Sequence, residues 1–112
     1  MIPRVTSEFW VKAYVRRCNQ SGVPAFVVQH GDDTAGTVLI KLNRLGNGCT
    51  IFQRSFGLEG DMVWLRATGP EPVEEPSADS YIQKQKKFDP DIWVIELEDP
   101  EGRHMLMEPV VD

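Results

Sequence analysis

Thr37-Val38-Leu39-Ile40-Lys41-Leu42-Asn43 is the stretch whose reading decides the fold. Val38, Ile40 and Leu42 alternate with their neighbours, so a strand here carries one apolar face. Upstream, Ala25-Phe26-Val27-Val28-Gln29-His30 is rich in β-formers, and Gly31 to Gly36 is turn chemistry. Downstream, Gly46-Asn47-Gly48 reads as a hairpin loop leading to a strand over Thr50–Arg54 and another over Met62–Ala67. These four segments predict an antiparallel meander. Ile92-Trp93-Val94-Ile95-Glu96-Leu97-Glu98 adds a strand with Trp93, Ile95 and Leu97 inward and Glu96 and Glu98 outward. Asp99-Pro100-Glu101-Gly102 fits a β-turn, after which His104 to Met107 would return as the last strand.

Two helices frame this sheet. Trp10, Tyr14 and Cys18 recur every four residues beside Val11 and Val15, leaving Lys12, Arg16 and the edge residue Arg17 for water. That spacing predicts a helix over 8–20, with Ser7 as N-cap and Gly22 as the C′ residue. Gly69 to Pro76 holds Pro70, Pro72 and Pro76 with Glu71, Glu74 and Glu75, and reads as an exposed loop. Ser77 would cap a second helix over about 78–88, stopped by Asp89-Pro90-Asp91. Its apolar stripe of Tyr81, Ile82 and Phe88 is thin, which predicts a surface helix.

The expectation is therefore one α+β domain over residues 1–112, built on a single mostly antiparallel sheet of five or six strands. The N-terminal helix packs on one face, and the second, surface helix precedes the last hairpin. The expected core is Trp10, Tyr14, Val28, Val38, Ile40, Leu42, Trp93, Ile95 and Leu97. At 112 residues, 41% hydrophobic and 26% charged, the chain is globular in composition. No apolar run approaches the roughly 18 residues of a membrane span, and no signal peptide is evident. Cys18 and Cys49 are too few for a disulfide framework and read as buried thiols, so the expected compartment is the cytoplasm.

Motifs that would announce an enzyme do not match. The acidic segment Asp89, Asp91, Glu96, Glu98 with His104 is the one place for a carboxylate-dependent hydrolase, since Glu96 and Glu98 would lie roughly 7 Å apart on one strand face. The Pro-Asp…Glu-x-Lys pattern of metal-dependent nucleases fails here, because Glu98 stands where the lysine belongs. His30 and His104 are isolated, so no zinc spacing occurs and no metal is expected. Gly46-Asn47-Gly48 lacks the lysine and helix of a phosphate loop, and Gly-x-Ser-x-Gly is absent, so no cofactor is expected and the balance leans away from an enzyme. A Cys–His pair stays open as a weaker option. Lys41, Arg44 and Arg54 with Phe52 could form a nucleic-acid platform, but the net charge of −5 opposes it.

Three stretches together resemble a known family: Phe9 to Cys18, Ala35 to Leu45, and Phe88 to Asp99. It is a family of short alphaproteobacterial proteins catalogued as a domain of unknown function, and the similarity runs from about residue 7 to residue 107. The resemblance implies a bacterial, cytosolic, stand-alone domain and carries over no catalytic residue.

Charge supplies the functional expectation. Residues 1–54 carry +4 and residues 55–112 carry −9. Lys12, Arg16 and Arg17 would project beside Arg44, while Glu71, Glu74, Glu75, Glu96 and Glu98 would form an acidic set. Exposed pairs within one molecule contribute only about 0–1 kcal/mol, whereas complementary patches on separate molecules orient encounter. The expected function is a protein-interaction module with a protein partner, self-association into a two-fold dimer included.

Overall fold

A computed structural model describes residues 5–112; the reading of Met1 to Arg4 lies outside them. The elements are α1 (Ser7–Gln20), β1 (Ala25–Gln29), β2 (Val38–Asn43), β3 (Cys49–Phe56), β4 (Met62–Arg66), α2 (Glu75–Phe88), β5 (Trp93–Glu98) and β6 (Val110–Val111). They build one six-stranded sheet in the order β1-β5-β2-β3-β4-β6. The α+β architecture of one sheet and two helices matches expectation, but the sheet is mixed. β5 lies antiparallel to β1 and parallel to β2, and β6 is parallel to β4.

The four-strand meander is corrected to three, β2-β3-β4. β5 takes the place beside β2 that β1 was expected to hold, because both β2 and β5 are apolar on two faces. Val38, Ile40 and Leu42 join Trp93, Ile95 and Leu97 under α1, while Leu39 joins Ile92 and Val94 on the opposite face. Strands buried on both sides belong in the middle of a sheet. β1 is left at the edge, and a bulge between Val27 and Gln29 turns Val28 outward, 51% exposed rather than in the core.

α1 is the predicted helix with a shifted cap. Thr6, not Ser7, accepts from the Phe9 N–H, and Ser7 is the buried first helical residue. Val11, Tyr14 and Cys18 seat on the sheet, with Trp10 half-buried and stacked on Tyr14.

α2 starts earlier than predicted, at Glu75 after Glu74, because Pro76 suits the first turn. It is not a mere surface helix. Ala78 and Ile82 pack with Leu39, Cys49, Ile51, Ile92 and Val94 as a second core, while Phe88 stays 85% exposed. Full burial of a side chain such as Ile82 contributes about 1.5–3 kcal/mol. The preceding loop is pinned too, since Val73 and Cys49 exchange backbone hydrogen bonds of 2.8 and 2.7 Å.

The last hairpin does not form. The 99–102 turn closes with Gly102 N–H donating to Asp99 C=O, but residues 104–107 make no strand. The chain crosses the α1 side instead. Met105, Leu106 and Val110 pack on the core, and β6 docks at the far edge. No helix among the described residues is long and apolar enough to cross a membrane.

Candidate functional site

The acidic segment proposed for hydrolase chemistry does not converge. Asp89 caps the turn after α2, its Oδ1 accepting from Asp91 N–H, and Asp91 is exposed. Glu96 does not face water freely: its carboxylate turns toward the Lys41 ammonium at 3.6 Å on the α2 face. Glu98 is half-buried farther along β5. His104 sits on the opposite face, edge-on to Phe52 at 5.3 Å. Burial and the nearby Arg66 cation push the His104 imidazole below its ordinary value. Among the described residues no three His, Cys, Asp or Glu side chains gather as metal ligands.

The two charge sets are also redistributed. Glu75 belongs to α2 and, with Asp79, hydrogen-bonds Lys41 Nζ. Glu71 and Glu74 remain exposed. Arg17 folds back over the Tyr14 ring and donates to Met105 C=O at 2.7 Å. Arg44 leans on the 99–102 turn, donating to Pro100 C=O. The Nε atoms of Arg17 and Arg44 are buried without a partner among the described residues. Lys12 and Arg16 alone of the basic set stay at the surface.

Those two rim a groove of about 300 Å³ between α1 and β1. Lys12 and Arg16 are one helical turn apart, as are Val11 and Val15 beneath them. Val27 and Trp93 complete the floor, and the His30 ring lies tilted against Trp93 with ring centroids 4.0 Å apart. Among the described residues no carboxylate lines the groove. Lys12 is tethered to Glu8 at 2.6 Å, and that hydrogen bond raises its ammonium above the ordinary lysine value. The Arg16 side chain has no ion pair or hydrogen bond among the described residues.

The groove opens onto the edge strand. Glu98 N–H donates to Pro24 C=O, so by antiparallel alternation Phe26 bonds β5 while Ala25 and Val27 turn their backbone groups outward. Asn19 covers Ala25, accepting from its N–H and donating to its C=O, both at 3.0 Å. Val27 is thus the open backbone position, with its side chain 42% exposed. Sequence periodicity found Lys12 and Arg16. It missed Val27, His30 and Trp93 as neighbours, because their meeting depends on which strand takes the edge.

A second concavity, of about 600 Å³, lies at the other end of α1, between Trp10, Arg54 and the β3–β4 hairpin. Arg54 was weighed for nucleic acid beside Lys41 and Arg44, but the three do not share a platform. Arg54 Nη2 donates to Ser7 Oγ at 2.8 Å and Gly36 C=O at 2.6 Å, whereas Lys41 is buried under α2.

Comparison with known proteins gives a family and no activity. A crystal structure of a DUF1491 family protein from Caulobacter crescentus superposes with a TM-score of 0.87 at 36% identity, covering 96% of this chain and 100% of that one. An NMR structure of a DUF1491 family protein from the same organism gives 0.84 at 36% identity, over 96% and 97% of the two chains. A solution structure from A. tumefaciens, 20% identical, shares the fold with a TM-score of 0.81 over 98% of both chains. No curated protein matches the chain. The family model described as a protein of unknown function, DUF1491, matches residues 5–107, so the chain belongs to the DUF1491 family.

Proposed function

We propose that the protein is a cytoplasmic interaction module whose α1–β1 groove takes an extended, acidic and apolar-sided segment of a partner protein. The observation that carries this reading is the groove's composition. Two cations stand over an apolar floor with no lining carboxylate among the described residues, beside one open backbone position on the sheet edge. An extended segment adds backbone hydrogen bonds at such an edge, and its alternate side chains enter the groove. Acidic side chains on the same segment meet Lys12 and Arg16, which orients encounter more than it deepens affinity. The open edge is short, because Asn19 closes one end and the bulge the other, so the contact is a local one.

The test is a titration with a synthetic peptide of alternating valine and glutamate, followed by amide shifts. Shifts centred on Val27 and Arg16 that weaken with salt are expected, and Lys12→Glu/Arg16→Glu should abolish them. Shifts elsewhere, or an unchanged response in the double variant, would remove the basis for the proposal. Concentration-dependent shifts at Val27 without peptide would instead identify a second copy of the chain as the occupant.

A further inference from the structure

The larger cavity has a chemistry of its own. Val5, Trp10, Phe56 and Met62 give it apolar walls, and Arg54 and Glu108 supply its charges. Arg54 projects from β3 and is half-buried. Its Nη2 is committed to Ser7 Oγ at the start of α1 and to Gly36 C=O in the β1–β2 connection, which are themselves hydrogen-bonded to each other. Among the described residues no group accepts from its Nε or Nη1, and no carboxylate lies within ion-pairing distance. A guanidinium has five donors in a planar fork, and burial without a compensating anion is costly. That cost shows in its acidity: burial pushes the guanidinium below the ordinary arginine value, and the Glu108 charge opposes this only in part.

Glu108 is not the missing partner, because it is held elsewhere. Its Oε1 accepts from the Trp64 indole N–H at 3.0 Å and its Oε2 from the Trp10 indole N–H at 3.5 Å. It stays close enough to influence Arg54, yet among the described residues no carboxylate accepts a hydrogen bond from Nε or Nη1. A fixed negative charge there disfavours a dianion and tolerates a monoanion. Both two-bond edges of a guanidinium run through Nη2, so a carboxylate here meets Nη1 through one charge-assisted hydrogen bond rather than a two-bond fork. Trp10, stacked on Tyr14 at 4.8 Å and tilted on Trp64 at 5.1 Å, is a rigid aromatic wall. The volume lies within the range of small-molecule sites.

We propose that this cavity binds a small molecule carrying one carboxylate on a flat apolar body, with Arg54 taking the carboxylate and Trp10 the body. The probes are 3-phenylpropionate, its amide and phenethyl phosphate, each followed by NMR at the Trp10 indole N–H and the Arg54 Nε–H. The acid should shift both signals saturably in the millimolar range, and the amide should bind about tenfold more weakly. In Arg54→Met the acid and amide should become equal. Should that variant not fold, the comparison of acid and amide on the wild-type protein decides alone. Absence of a saturable shift with the acid up to about 10 mM overturns the site, as does equal binding of the amide. Tighter binding of the phosphate overturns the assignment of a monocarboxylate.

Discussion

Lys41 Nζ lies 2.7 Å from Asp79 Oδ1, joining the central strand β2 to α2. Glu75 at 2.6 Å and Glu96 at 3.6 Å complete a three-carboxylate cup around one ammonium, whose side chain is almost fully buried. Burial alone would lower this lysine. The hydrogen bonds that it donates to Asp79 and Glu75, with the Glu96 charge, raise it well above the usual value. The amine is therefore cationic throughout the neutral range, and α2 is held by charge as well as by Ala78 and Ile82.

Lys41→Met should destabilise the fold by about 1–3 kcal/mol, read by urea denaturation. The loss falls below what a fully buried pair would cost, because Glu75 and Asp79 are half exposed and partly screened. Lys41→Met/Glu96→Met should recover part of the loss, since it removes the least exposed of the stranded carboxylates. A double variant weaker than the single one would show that the cup is not electrostatic in origin.

His104 should make stability depend on pH in the weakly acidic range. Its folded-state value is lowered by burial and then by Arg66, so the unfolded chain binds the extra proton first. Stability is complete above the unfolded value of about 6.5 and falls as pH drops from there to the lower folded value. His104→Asn keeps an acceptor for the Leu106 N–H now held by Nδ1, and should flatten this slope in denaturation curves. A separate acid limb belongs to Asp99. Arg103, hydrogen-bonded to its carboxylate, holds it below the usual range, so its contribution is lost only below about pH 4.

Gly31→Ala should cost about 2–3 kcal/mol, measured by thermal or urea unfolding. A Cβ there would stand 2.4 Å from Asp91 C=O and 2.6 Å from Trp93 Cδ1, and Asp91 is held by the Asp32 N–H. The backbone cannot step aside without breaking that bond and the Trp93 indole N–H donation to Asp32 C=O at 2.8 Å. Gly46→Ala is the contrast in space, with nothing within 4 Å, though its positive φ still penalises the change.

The parts of the fold that were legible in sequence are those set by neighbours along the chain. Trp10, Tyr14 and Cys18 mark α1 because helical spacing alone brings them to one face. α2 was legible as a helix, but its burial was underrated because Ala78, one of its two buried residues with Ile82, is too small to stand out. The better signal was on the strands. Leu39, Ile51 and Val94 occupy the face opposite Ile40 and Ile95, and an apolar second face requires a cover. Glu96 was read as solvent-facing because Lys41, its register partner, lies on a strand more than fifty positions earlier. The same limit hid the cavity, which Arg54 and Glu108 come to line through a chain crossing that no local pattern encodes. Lys12 and Arg16 were visible by helical spacing, whereas their apolar floor waited on the placement of β1 at the edge.

Asn19→Ala should loosen the edge and promote association. The Asn19 amide accepts from Ala25 N–H and donates to Ala25 C=O, so one side chain occupies both groups that a neighbouring strand would seek. It also donates to Val15 C=O, fixing its position on the last turn of α1. Truncation leaves two backbone groups next to the exposed Val27 and Val28, at a cost of about 1–2 kcal/mol. The open stretch of β1 then grows from Val27 alone to Ala25 through Val27, long enough to pair antiparallel with the same strand of a second copy. Sedimentation should show a concentration-dependent dimer for Asn19→Ala that is weaker or missing in wild type. Asn19→Asp keeps the acceptor for Ala25 N–H and loses the donor to Ala25 C=O, and should fall between the two. A variant that is less stable yet sediments like wild type at every concentration would show that Asn19 holds the turn after α1 rather than guarding the sheet edge.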